Sequence, residues 1–150
     1  MHAHDEYFMR LALEEAKKAF AEDEVPIGAI AVLDGEVIAS NHNRKEQLRD
    51  PLAHAEMLVL SETSEKLERW RLTGVTLYVT IEPCLMCMGA LIHSRIDRLV
   101  FGARDPKFGG ARSLYELGED PRMNHRFEVK EGVMAEEAAA LMKKFFADKR

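Results

Sequence analysis

Residues 75–93 read VTLYVTIEPCLMCMGALIH, and this stretch predicts more of the fold than any other part of the 150-residue chain. Residues 75–81 alternate and are rich in β-branched side chains, which predicts a strand. Pro83 suits the first turn of a helix that runs to about residue 93. We therefore expect a strand that passes directly into a helix, with both cysteines of the chain in the first helical turn.

Outside this stretch, helical and strand patterns alternate along the chain. Apolar residues at helical spacing predict helices from residue 4 or 5 to 20, at 53–67 and at 135–146. Further strands are predicted at 27–33, 37–39, 99–102 and 127–133, with an Asp34-Gly35 hairpin turn between the first two, a loop at 41–52 and a short helical piece near 114–117. This order predicts an α/β fold of three layers, in which helices cover both faces of a mixed five-stranded sheet.

The composition is that of an ordinary globular protein. With 47% hydrophobic and 31% charged residues in 17.0 kDa, the chain can form one domain over residues 1–150. No apolar run approaches the ~20 residues that cross a bilayer, and the charged N-terminus has no signal-peptide core. We therefore expect a cytoplasmic protein without a membrane partner.

Three side chains have the chemistry of metal ligands, namely His54, Cys84 and Cys87. Two cysteines three positions apart share a face of a helix, and the free N–H groups at a helix N-terminus favour thiolates. Two thiolates and one imidazole make a tetrahedral Zn²⁺ site with one open position, which is typical of catalytic zinc. We expect one zinc ion per subunit.

Glu56 follows the histidine by two positions in the sequence H-A-E. At a helix N-terminus both side chains can converge on an ion that lies beyond the helix end, so Glu56 would stand beside the metal without binding it. Zinc can lower the pKa of bound water to ~7, and a carboxylate there can carry a proton from that water to a leaving group. This predicts Glu56 as the catalytic residue.

The histidine and the cysteines also permit three alternative interpretations. A C-x-x-C pair can be a redox site, although that motif does not usually follow H-A-E. A closed structural zinc site would need a fourth ligand, for which His42, His93 and His125 are candidates. A zinc-binding interaction module without activity is the third alternative, and the unligated Glu56 argues against it.

The spacing H-x-E followed by P-C-x-x-C is the signature of zinc nucleobase deaminases. Over nearly its whole length the chain resembles the tRNA-specific adenosine deaminases. The resemblance is carried by VPIGA at 25–29, DPLAHAEM at 50–57, residues 76–96, VFGARDPKFGG at 100–110, and later SLY, MNHR and KKFF. It implies a cytidine deaminase-like fold and the hydrolytic deamination of adenosine to inosine at the wobble position of an arginine tRNA anticodon.

The resemblance also implies roles for individual residues. It implies that a zinc-bound hydroxide attacks C6 of adenine while Glu56 shuttles protons. Asn43 falls at the position of the family's base-contacting asparagine, and Asp105 falls in its RNA-contacting loop. Family members are homodimers in which both subunits contact the tRNA anticodon stem-loop, so the same assembly is expected here.

A flipped base needs a pocket with hydrogen-bond partners and apolar walls. Asn43 could supply the former, and Val25, Ile27 and Ile81 the latter. The ordinary alternatives are that Asn43 is a turn residue and that Val25 and Ile27 are core residues at the start of a strand. Ile81 is aliphatic at a position where aromatic residues also occur in the family, and Arg112 is bulky and charged where the family often has a small residue. We expect both departures to affect substrate fit.

Basic residues collect after the cysteines, although the net charge of the chain is −5. A solvated surface is the ordinary interpretation, and contact with RNA phosphates is the alternative. We expect RNA contacts from Arg104 and Lys107, and base stacking from Phe145 and Phe146, of which helical spacing places at least one in the core. A zinc deaminase of a free base or nucleoside (guanine, cytosine or cytidine) would not need these basic residues, and it is the alternative function.

Overall fold

The computed structural model describes residues 4–149, so the prediction of one domain over residues 1–150 stays a prediction. The helices are α1 (Asp5–Ala21), α2 (Lys45–Leu48), α3 (Ala55–Leu67), α4 (Leu85–His93) and α5 (Ala135–Ala147), with a short 3₁₀ turn at Leu117–Glu119. The strands are β1 (Gly28–Leu33), β2 (Glu36–His42), β3 (Thr76–Ile81), β4 (Arg98–Ala103) and β5 (Glu128–Lys130). None of the helices in this part of the chain is long and apolar enough to span a membrane.

The five strands form one mixed sheet in the order β2-β1-β3-β4-β5. Strand β1 is antiparallel to β2 and β3, whereas β3, β4 and β5 run parallel to one another. Helices α3 and α4 pack on one face of the sheet, and α1 and α5 pack on the other. The predicted three-layer α/β/α fold with a five-stranded mixed sheet is therefore confirmed.

Side chains along each strand point alternately to the two faces of the sheet, so each face has its own part of the core. On β3, Leu77 and Val79 are fully buried in the cluster with α3 and α4, whereas Tyr78 packs with Phe8 of α1. Burying a side chain of this size contributes about 1.5–3 kcal/mol, so both layers hold the sheet in place. Helix α1 also lies very close to β1, since a Cβ atom on Gly28 would be only 2.1 Å from the Ala12 carbonyl oxygen.

The hairpin that joins β1 to β2 has the predicted two-residue turn. Asp34 and Gly35 both have positive φ angles, of 51° and 79°, and Leu33 pairs with Glu36 across the turn. Two positive angles in succession are the signature of a type I′ turn, whose twist matches that of the strands. The second strand is longer than predicted and reaches His42, because β1 pairs with it as far as Gly28.

Two helices begin later than the sequence predicts. Helix α3 begins at Ala55 with His54 as its N-cap, and α4 begins at Leu85 with Cys84 as its N-cap. Both N-cap residues have extended backbones, so the chain turns into the helix only after them. Pro83 therefore precedes the helix instead of occupying its first turn. The predicted loop at 41–52 also contains the short helix α2.

Asp5, at the start of α1, ties this helix to the sheet. Arg98 donates two hydrogen bonds of 2.7 Å to its carboxylate, and Tyr78 and Lys130 donate one each. Burial by itself would raise the pKa of Asp5, but these hydrogen bonds outweigh it and hold the pKa well below its usual range. The network joins the first helix to β3, β4 and β5.

Candidate active site

His54 and both cysteines converge where α3 and α4 begin. The Nδ1 atom of His54 lies 3.6 Å from the Sγ atom of Cys84 and 3.5 Å from that of Cys87, and all three ligand atoms lie within 4.8 Å of one another. A tetrahedral zinc ion with ordinary bond lengths would hold a nitrogen and a sulfur ligand ~3.6 Å apart. The three side chains are therefore spaced to hold a zinc ion.

Local backbone structure fixes the two helix starts. The Asp50 side chain accepts a hydrogen bond from the Leu52 amide, and the Asp50 carbonyl accepts one from Ala53, so the Asp50-Pro51 segment forms a tight turn just before His54. On the other side, Cys84 pairs with Gly109 in an isolated antiparallel bridge. His54 and Cys84 are thus each held at the point where an ordered turn or bridge meets a helix, and Cys87 lies in the first turn of α4.

The two sulfur atoms have opposite protonation tendencies. A hydrogen bond from Cys87, together with the nearby His54 ring, lowers the pKa of Cys84 to about 4. The same contact with Cys84 raises the pKa of Cys87, because a second thiolate beside the first would be repelled. The Cys84 hydrogen bond in turn raises the pKa of His54. A bound divalent cation would offset the repulsion between the two thiolates, since a thiol that coordinates zinc is deprotonated.

Glu56 is the second residue of α3 and is buried, with 3% of its surface exposed. Burial raises its pKa to about 7, and the charges of His54 and Cys84 act on it directly. Its Oε1 atom has no hydrogen-bond partner within residues 4–149. A buried carboxylate oxygen without a partner is rare in native proteins, so this atom is available to a group that enters the site.

The histidines that could close the metal site lie elsewhere. Both ring nitrogens of His42 are 2.8 Å from a glutamate oxygen, of Glu15 and Glu22. His125 contacts the carbonyl oxygen of Ile96, and His93 is exposed at the far end of α4. Within the described chain, His54 and the two cysteines are the only group of three such residues close enough to hold a metal. The closed four-ligand site therefore has no support.

Asn43 directly follows β2 and is buried, and its side-chain amide makes two long hydrogen bonds. Its Nδ2 atom donates a 3.5 Å hydrogen bond to the Val25 carbonyl, and its Oδ1 atom accepts one from the Lys45 amide at 3.3 Å. Asn43 therefore does shape the local turn, as the ordinary alternative expects. Val25 and Ile27 are half-buried, so part of each remains open to solvent or a ligand.

Two of the residues predicted to contact substrate or RNA, Ile81 and Phe145, are buried in the core. Ile81 is 4% exposed and packs with Leu13 of α1. Phe145 is 7% exposed, and its ring lies 5.9 Å from that of Phe20. Phe146 is 47% exposed, which confirms that one member of this pair is in the core.

The loop after β4 holds the other predicted RNA contacts. Asp105 accepts hydrogen bonds from the amides of Lys107 and Phe108, so its carboxylate shapes the loop. The exposed Arg104 donates two hydrogen bonds to Glu131 and would have to leave this ion pair to contact a phosphate. The ammonium group of Lys107 is exposed and has no partner within residues 4–149.

Arg112, the second departure from the family pattern, is also held by acidic side chains. Its guanidinium forms ion pairs with Glu119, at 2.7 Å, and with Glu131, at 3.3 Å, and only 17% of the side chain is exposed. Of Arg104, Lys107 and Arg112, Lys107 is thus the one whose charge is available to RNA.

Two buried carboxylates with structural roles were not singled out from the sequence. Glu24 accepts the amide hydrogens of Glu46 and Gln47, and so caps α2 from a distant part of the chain. Glu82 accepts four backbone N–H groups from the loop after β4. The available signal was a charged residue in an apolar segment, E-V-P-I for the first and V-T-I-E-P for the second.

The chain matches a family model described as MafB19-like deaminase over residues 2–150. It is 49% identical over 146 residues to a tRNA-specific adenosine deaminase of Bacillus subtilis (strain 168), a match that covers 97% of this chain and 91% of that protein. A structure from a study of A-to-I editing by tRNA:A34 deaminases at the wobble position of transfer RNA has a TM-score of 0.87 and 47% identity, covering 90% of this chain and 98% of that one. A guanine deaminase from Nitrosomonas europaea has a TM-score of 0.82 and 29% identity, and the match covers 95% of this chain and 84% of that one. The chain therefore belongs to the MafB19-like deaminases and to the family of tRNA-specific adenosine deaminases.

Proposed function

We propose that this protein converts adenosine to inosine at the wobble position of a tRNA anticodon, with an arginine tRNA as its substrate. The observation that carries the proposal is the convergence of His54, Cys84 and Cys87 beside the buried Glu56. Relatives at 45–49% identity are named tRNA-specific adenosine deaminase, whereas the guanine deaminase neighbour is only 29% identical. The substrate is inferred from that difference.

In the proposed reaction, His54, Cys84 and Cys87 hold one zinc ion per subunit. When bound, the ion supplies a Lewis acid that makes water a nucleophile at neutral pH. Glu56 takes the proton of the attacking water through its unpaired Oε1 atom. It donates that proton to the purine ring nitrogen, then takes a second proton from the hydroxyl group added at C6 and delivers it to the amine, which leaves as ammonia while the C6 carbonyl forms. Burial of Glu56 supports this role, because a pKa near neutrality lets a carboxylate both accept and donate a proton.

The proposal extends to the base pocket and to RNA. Asn43 would hold the flipped base through its partly engaged amide, between the half-buried Val25 and Ile27. Lys107 would contact a phosphate of the anticodon stem-loop, with Arg104 as a weaker candidate. The exposed ring of Phe146 remains a candidate for base stacking.

We also propose a homodimer that acts in the cytoplasm. Leu85, at the start of α4, and the nearby Leu114 and Tyr115 are more than half exposed, which is the apolar surface that a second subunit would cover. Light scattering after size-exclusion chromatography should give twice the mass of 17.0 kDa.

Nucleoside analysis by mass spectrometry tests the substrate. Incubation with an anticodon stem-loop that carries adenosine at the wobble position should produce inosine, whereas free guanine and free cytidine should remain unchanged. Turnover of guanine or cytidine without any inosine would replace the proposal with the alternative of a free-base or nucleoside deaminase. Metal analysis of the same preparation should give one zinc ion per chain.

A further inference from the structure

Glu82 lies at the end of β3, two residues before Cys84, and is 3% exposed. Its carboxylate accepts hydrogen bonds from a single segment, residues 105–113, which we call the rim loop. The Asp105 amide donates to Oε1, and the amides of Ala111, Arg112 and Ser113 donate to Oε2 at 2.7–3.0 Å. The Ser113 hydroxyl donates a further hydrogen bond to Oε1.

The rim loop is built to approach this carboxylate closely. A Cβ atom on Gly109 would lie 2.3 Å from the Glu82 carboxyl group, so any larger residue at this position would displace the hydrogen-bonded carboxylate. The amide of Gly110 donates a 2.8 Å hydrogen bond to the Pro83 carbonyl. Since Gly109 also pairs with Cys84, the carboxylate holds the loop against one of the candidate zinc ligands.

The same loop presents two side chains to solvent at the edge of the candidate active site. Phe108 is 66% exposed, and Lys107 is exposed with a free ammonium group among the described residues. Both immediately precede Gly109, so their positions relative to Cys84 depend on where the loop is held. An aromatic ring and a cation side by side are suited to a base and its phosphate.

We propose that Glu82 is a positioning residue for RNA, which fixes the rim loop so that Lys107 and Phe108 meet the strand whose base enters the site. This inference rests on the proposed function for its substrate. It does not give Glu82 any contact with the base, the metal or the reacting atoms. Its removal should therefore weaken stem-loop binding and leave the chemical step nearly intact.

Glu82→Gln is the main test, because the side chain keeps its size while one acceptor oxygen becomes a donor that faces N–H groups. We expect the Kd for the stem-loop, measured by fluorescence anisotropy, and the KM to rise about tenfold. We expect kcat to fall less than threefold and zinc to stay at one ion per chain. Glu116→Gln makes the same exchange on an exposed glutamate just beyond the rim loop and should match the unaltered chain.

Hydrogen exchange measures the loop directly and needs no substrate. The amides of Ala111, Arg112 and Ser113 should exchange at least about tenfold faster in Glu82→Gln, while those of β3 and α4 keep their rates. If Glu82→Gln does not fold, Ser113→Ala removes a single hydrogen bond and should raise Kd about threefold.

Three results overturn the inference or separate it from the proposed function. Unchanged loop exchange in Glu82→Gln would remove the positioning role. Faster loop exchange with a Kd within twofold of the unaltered chain would show that RNA does not depend on the position of the loop. A lack of stem-loop binding by the unaltered chain would overturn the proposed substrate and the RNA part of this inference, whereas the exchange data would still decide whether Glu82 fixes the loop.

Discussion

The Nδ1 atom of His54 lies 3.5 Å from the Sγ atom of Cys87, although 33 residues separate the two in the sequence. His54 is the residue that precedes the first turn of α3, and Cys87 lies in the first turn of α4, so their contact joins two helices on the same face of the sheet. A zinc ion held between them would link the N-termini of both helices. Loss of the metal should therefore affect stability as well as activity.

The first prediction compares two histidines. His54→Ala should reduce zinc, measured by elemental analysis, to less than about 0.1 ion per chain and lower the Tm, because two thiolates alone leave the site incomplete. Cys87→Ala should have the same effect. His93→Ala changes an exposed histidine at the other end of α4 and should retain one ion per chain. Full zinc occupancy in His54→Ala would contradict the proposed ligand set.

The second prediction concerns the proton shuttle. Glu56→Gln keeps the shape of the side chain but cannot accept a proton, so kcat for the stem-loop should fall by about 10³-fold with zinc retained. Glu65→Gln makes the same exchange on the exposed side of α3 and should leave kcat unchanged. A Glu56→Gln chain that kept full turnover would show that another group moves the proton.

The third prediction uses salt to count phosphate contacts. Stem-loop affinity should fall steeply with salt concentration, and Lys107→Gln should reduce the slope of log K against log salt by about 0.7. Lys17→Gln removes an exposed charge from α1, on the opposite face of the sheet from α4, and should leave the slope unchanged. An unchanged slope in Lys107→Gln would identify its ammonium group as ordinary surface charge.

The fourth prediction concerns stability and pH. Since the pKa of Asp5 is lowered in the folded chain, its contribution is complete above the unfolded value near 3.8 and is lost as the pH falls toward the lower folded value. Asp5→Asn should cost about 3 kcal/mol at pH 7, because Arg98 and Lys130 lose a buried partner.

Urea unfolding from pH 2 to 7 checks this prediction. The difference between Asp5→Asn and the unaltered chain should shrink steadily below about pH 4. Asp23→Asn removes an exposed ion pair with Lys149 and should cost less than about 1 kcal/mol at every pH. A cost for Asp5→Asn that did not change with pH would exclude the ionised carboxylate as its source.

The sheet and its main helices could be predicted because their patterns are local. Alternation at 75–81, the Asp34-Gly35 turn and helical spacing each depend on neighbours within a few positions. Helix α2 could not be predicted in this way, since its first amides are capped by Glu24, more than twenty residues earlier. The end of β2 likewise depends on its partner strand.

The metal-binding group could be predicted because residue chemistry and spacing restrict it strongly. The surrounding contacts could not, because spacing does not tell which side chains face the core. Ile81 and Phe145 carry suitable chemistry for a pocket wall and a stacking ring, but packing against α1 buries both. The charge on Arg104 is similarly visible in the sequence, whereas its engagement by Glu131 requires the fold.

The network around Asp5 also constrains when the protein can reach its final form during synthesis. Asp5 is translated before its partners, because Arg98 follows 93 positions later and Lys130 follows 125 positions later. At about 5–20 residues per second, the nascent N-terminal helix waits roughly 5–20 s before its arginine partner has been translated. Residues of β4 and β5 therefore complete the anchoring of α1, which is translated before them.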